Sequence, residues 1–123
     1  MQNALLSAEA LLKKKDIIKK YKNEKLDIEV EEIGTFRFKV PTDENLSSIE
    51  GLEPKDQDAY LVYACCESPN LKDENLQKEF GGDLPFEIVK NILKGGDIKK
   101  IVTELLNASG YNETKLKVEK VKN

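Results

Sequence analysis

The chain contains no histidine and no tryptophan. Without histidine the commonest general base is missing, and any metal site would have to be built from oxygen ligands alone. The two cysteines, Cys65 and Cys66, are adjacent. Neighbouring sulfurs make no disulfide framework and supply too few ligands for zinc, so the sequence predicts a reducing, intracellular setting. No stretch approaches the roughly 18 apolar residues that span a bilayer. Met1-Gln2-Asn3-Ala4 also lacks the basic-then-apolar order of a secretory signal. Nor is positive charge in excess: 23 acidic residues stand against 20 basic, a net of −3. A nucleic-acid binder needs the opposite balance to collect phosphate contacts.

Motifs that carry chemistry are also lacking. Gly81-Gly82 and Gly95-Gly96 precede helical patterns, but neither has the spacing of a phosphate loop or a dinucleotide fingerprint. No stretch has the alternating acids, central glycine and closing glutamate of a calcium loop. Asp56, Asp58, Asp73 and Glu74 read as first-turn residues of helices, where carboxylates suit the dipole. No carboxylate pair stands in an apolar setting that would separate two pKa values for acid–base work. The expectation is a protein without cofactor or metal, and not an enzyme.

What the sequence does contain is one long apolar run, Ala59-Tyr60-Leu61-Val62-Tyr63-Ala64-Cys65-Cys66, in a chain whose residues are 35% charged. Pro54 at a first helical position and the acids after it favour a helix over residues 55–67. Cys65 and Cys66 inside it read as inert packing. This run is the expected centre of a modest core, with Ile88, Val89, Ile101, Val102 and Leu105 packed against it.

Ahead of it, residues 4 to about 23 are rich in Ala, Leu, Glu and Lys and predict an N-terminal helix. Leu26, Ile28 and Val30, then Phe36, Phe38 and Val40, alternate with polar residues on either side of Gly34. That period of two predicts a hairpin over residues 26–40. A loop of Glu32-Ile33-Gly34 sets Val30 opposite Phe36 and Ile28 opposite Phe38. Glu29 then meets Arg37 and Asp27 meets Lys39 on the other face. Further helices are expected at 43–50, capped by Thr42, at 73–80 with Leu76 and Phe80 inward, at 85–94, and at 97–109 opened by Asp97 and stopped by Gly110. The fold class is therefore α+β, mainly α: an N-terminal helix and one hairpin, then a small bundle of about four to five helices. Residues 1–24 read as an arm, 25–110 as one globular domain, and 111–123 as a charged tail without a packed core.

The segment Leu61-Val62-Tyr63-Ala64-Cys65-Cys66-Glu67-Ser68-Pro69-Asn70-Leu71 leads into Leu76-Gln77-Lys78-Glu79-Phe80-Gly81. A proline-led helix at Pro85-Phe86-Glu87-Ile88-Val89 and an ending at Ala108-Ser109-Gly110 follow. With Leu5-Leu6 and the strand pair in front, this order resembles the phage and prophage tail assembly chaperones of the XkdN-like type. The resemblance implies a non-catalytic protein of contractile-tailed phages or phage-tail-like bacteriocins. It would act in the cytoplasm of the bacterial host and be absent from the mature tail. Its expected partner is the tape measure protein, kept soluble during assembly, with the tail-tube protein as a second candidate and a homo-oligomer as a candidate state. Partner contacts are expected at the hairpin's edge (Glu29, Arg37, Lys39), the N-terminal helix (Leu5, Leu12) and the tail (Leu116, Val118). The alternative is an oligomeric structural or regulatory adaptor of a mobile element.

Overall fold

A computed structural model describes residues 4–111 and 116–121. Ser7 opens the first helix: its hydroxyl accepts from the Ala10 N–H at 3.1 Å, and α1 runs Ala8–Lys13. The single N-terminal helix is corrected to two, because the chain bends at Lys14 before α2, Lys15–Lys22. Most helices draw their stability from a packed face. Neither α1 nor α2 has a buried residue, so nothing holds them as one straight rod.

Strands β1, Lys25–Val30, and β2, Gly34–Lys39, form the hairpin. The expected faces are present, but the register is shifted by two residues. Ile28 stands opposite Phe36, Leu26 opposite Phe38, Asp27 opposite Arg37, and Glu29 opposite Thr35. A slip of two leaves each side chain on its own face, so alternation alone could not exclude it. The loop is Glu31-Glu32-Ile33. Glu32 takes the left-handed turn position (φ 72°), and Gly34 enters the ladder at φ 139°, which a side chain would resist.

Residues 66–68 depart further from expectation. Helix α4 runs Pro54–Cys65 and ends two residues early, and Cys66–Ser68 becomes a third strand, β3, antiparallel to β2. The sheet order is β1-β2-β3, so β2 is central. Pro69 biases the residue before it toward extended backbone. The Ser68–Pro69 bond itself is cis.

The other helices surround α4. Helix α3, Asp43–Ile49, starts from a capping box in which Asn45 N–H donates to Thr42 Oγ1 (3.1 Å) and Thr42 N–H to Asn45 Oδ1 (3.0 Å). Helix α5 is Glu74–Phe80, capped by Asp73. A 3₁₀ turn at Pro85–Glu87 leads into α6, Ile88–Ile92, where one helix had been expected. Helix α7 runs Gly95–Ala108, so Gly95 and Gly96 lie within its first turn instead of preceding it. Gly110 follows at φ 85°. Leu76 packs against the core, but Phe80 is corrected from inward to exposed.

The core gathers Leu61, Val62 and Cys65 of α4 with Ile88, Val89, Ile101, Val102 and Leu105, and with Phe36 and Phe38 from the sheet. Helix α4 contacts α3, α6, α7 and β2. Leu61, Phe38, Ile88 and Leu105 are essentially closed to solvent. The apolar run is thus the scaffold that holds the sheet's inner face, leaving its charged face outward.

Candidate functional site

The sheet's solvent face is built from Lys25, Asp27 and Glu29 on β1 with Thr35, Arg37 and Lys39 on β2. Alternation sends Leu26, Ile28, Phe36 and Phe38 inward, so these charged side chains point out. Arg37 donates to both oxygens of Asp27, at 2.7 Å from Nε and 2.9 Å from Nη2. This bidentate pair holds the Asp27 carboxyl below its ordinary range. Lys25 reaches Glu67 on β3 at 2.9 Å and lowers that carboxyl as well.

The structure brings Glu29, Arg37 and Lys39 onto one face but not onto one edge. Arg37 and Lys39 belong to the central strand, flanked by β1 and β3. Their expected position at the hairpin's edge is corrected: only Glu29 lies on an outer strand, and it opposes Thr35 instead of Arg37.

The apolar candidates lie apart from this face in the chain. Leu5 is 97% exposed ahead of α1, and Leu12 is exposed on it. Leu6, Leu11, Ile17 and Tyr21 are exposed as well, a fuller apolar set than the sequence reading chose. Of these, the Ser7 cap fixes the helical spacing of Leu11 alone; Leu6 precedes it, and Ile17 and Tyr21 lie on α2 beyond the bend at Lys14. Leu116 and Val118 are exposed in the tail. Leu116 also lines a cleft bordered by residues 21–24, 40–44 and 107–111. At that cleft the Tyr111 hydroxyl donates to Asp43 Oδ1 at 3.0 Å, which raises the Tyr111 pKa.

Cys65 ends α4 and Cys66 opens β3, where burial pushes both thiols up to about 11. Among the described residues no group of three or more His, Cys, Asp or Glu could hold a metal ion. No described helix is long and apolar enough to cross a membrane. What the surfaces offer is binding: exposed aliphatic side chains on two short helices, the second of them basic, and a charged sheet face bounded by an outer strand.

Comparison with curated proteins and with solved structures finds no match. A family model described as the phage XkdN-like tail assembly chaperone protein matches residues 4–122. Nearly the whole chain is covered, arm, sheet and helices alike, and the protein belongs to the phage XkdN-like tail assembly chaperone family.

Proposed function

We propose that this chaperone binds the tape measure protein and keeps it soluble while the tail is assembled. It acts in the host cytoplasm, without catalysis, and leaves before the tail is complete. The observation that carries this reading is the apolar surface of α1 and α2, which buries no residue in its own fold. Each Leu or Ile side chain fully buried against a client contributes about 1.5–3 kcal/mol. A handful of them is therefore enough for reversible capture, after the entropy of association is subtracted. The client of best fit is a long helical protein whose apolar stripe would otherwise self-associate. Basic residues around Lys13, Lys19 and Lys22 favour acidic flanks on that stripe.

In this reading the chain works in three parts. Residues 1–24 are the client-binding arm, with Leu5 and Leu12 at its centre. Residues 25–110 are the globular support, whose Glu29, Arg37 and Lys39 form a polar rim. Residues 111–123 are the tail. Co-expression tests the proposal. The tape measure protein should move from the pellet to the soluble fraction and should be recovered with the affinity-tagged chaperone. A pellet of unchanged size with no tape measure protein on the resin would refute it.

A further inference from the structure

Among the described residues, β1 pairs with β2 only, and its outer edge has no partner strand. An edge of this kind presents unmade backbone hydrogen bonds and accepts an added strand. A segment suited to it stands elsewhere in the same chain. Residues 116–121 read Leu-Lys-Val-Glu-Lys-Val and carry neither helix nor strand. Leu116 and Val118 alternate with Lys117 and Glu119, the period of a half-buried strand. Val118 is 91% exposed, so its apolar surface has found no place in its own fold.

We infer that the β1 edge takes residues 116–119 of a second copy of this chain as a fourth, antiparallel strand. Charge selects the direction and register. With Lys117 opposite Asp27, Glu119 falls opposite Lys25, and Leu116 and Val118 fall opposite Ile28 and Leu26 on the core side. Each of these pairs joins opposite charges or two apolar groups, as cross-strand stability requires. A slip of two residues sets Glu119 against Asp27, or, in the other direction, Lys117 against Lys25. A slip of one turns Leu116 and Val118 outward. A parallel strand that keeps Lys117 beside Asp27 sets Glu119 beside Glu29. The antiparallel register extends the existing ion pair into a row, Lys117–Asp27–Arg37.

The charge of the parts agrees. Residues 25–110 hold 18 acidic against 10 basic residues, a balance of −8, while residues 111–123 hold 4 basic against 2 acidic, a balance of +2. The chain's own tail is placed less well for this edge. Its Leu116 lies in the cleft beside residues 21–24, beyond the start of β1. The register needs Leu116 beside Ile28, about 13 Å further along the strand, with the tail running back toward Lys25. A second copy can approach in that direction directly, and reciprocal exchange closes a two-fold dimer.

The test uses the full chain without client, so its outcome is independent of tape measure binding. Full-length chains bearing Asp27→Cys and Lys117→Cys are mixed and mildly oxidised, each alone serving as control for the native thiols. The disulfide between chains should form about tenfold faster than in a mixture of Asp27→Cys with Lys120→Cys, which is three positions out of register. Light scattering of the unmodified chain should show mass rising with concentration. Exchanging the charges (Lys117→Glu with Glu119→Lys) should move that rise to about tenfold higher concentration. Equal cross-linking rates would overturn the inference. So would a monomer at every concentration, including one in which Asp27→Cys/Lys117→Cys in a single chain closes on itself.

Discussion

At the residue scale, Leu61 and the two cysteines show how burial decides what a side chain can do. Leu61 is 1% exposed at the centre of the core. Truncating such a side chain removes its transfer energy and leaves a cavity, so Leu61→Ala should cost about 2–5 kcal/mol. That is a large share of the roughly 5–15 kcal/mol available to a domain, and Leu61→Asp should leave the chain unfolded. Urea denaturation followed by circular dichroism measures both; a Leu61→Asp chain with a native transition would show that α4 is not the centre of the core. The cysteines make a separate expectation. Their thiols sit near 11 because burial disfavours the thiolate. Two units above the ordinary value near 9 lower the thiolate fraction about 100-fold at pH 8, and alkylation by iodoacetamide should be slower than in urea by at least that factor. The linkage has a definite sign. A raised folded pKa contributes stability that is complete below about 9 and is lost as pH climbs through about 11, so the chain should weaken in alkali. A native chain alkylated as fast as the unfolded one would place these thiols at the surface.

At the scale of elements, the hairpin and the strand after α4 mark where sequence is legible and where it stops. The alternation around Gly34 located both strands and assigned every side chain to its face. It could not separate two registers that differ by two residues, because period two is blind to that slip. The choice rests on backbone geometry, with Glu32 in the left-handed turn position and Gly34 already in the ladder. The third strand was hidden for a related reason. Cys66 continues the apolar run of α4, so composition favours helix there; pairing with β2, together with the bias of Pro69 on Ser68, makes residues 66–68 extended. Of the helical caps, Thr42 was readable, whereas Asp73, expected inside the first turn, proves to be the N-cap of α5, its side chain accepting from free N–H groups. The arm divided at Lys14 because it lacks a packed face, a property of tertiary structure that helix propensity does not contain. The observed register also makes a testable claim about pH. Asp27 is held below its ordinary pKa by Arg37, and Glu67 by Lys25. Depressed carboxyls contribute stability that is present above the unfolded value near 4 and lost as pH falls through the folded value. The denaturation midpoint should therefore drop on acidification below about pH 4, and Asp27→Asn should flatten that drop. An unchanged slope in Asp27→Asn would mean that the pair with Arg37 does not persist in solution.

At the scale of the whole molecule, the core lies in the middle of the chain and most of the exposed large apolar side chains lie toward its two ends. The buried side chains lie between residues 36 and 105, whereas α1 and α2 contain none. Stability and client capture should consequently respond to different substitutions. Replacing Leu12 and Ile17, both exposed, with Asp removes apolar surface from the arm without opening a cavity. Surface changes of this kind move stability by about 0.5 kcal/mol or less, so the urea midpoint should stay close to that of the parent chain. On the proposed reading that the arm holds the client, the same pair of substitutions takes two aliphatic contacts from it and sets two carboxylates in their place. At about 1.5–3 kcal/mol for each lost contact, affinity for the tape measure protein should fall at least about 100-fold. In co-expression the tape measure protein should then return to the pellet while the chaperone itself stays folded. If the arm instead folded back on the globular part as a structural element, the double variant would lose stability and capture together. A parent-like midpoint with undiminished capture would move the client surface off the arm altogether and onto the sheet face around Glu29, Arg37 and Lys39.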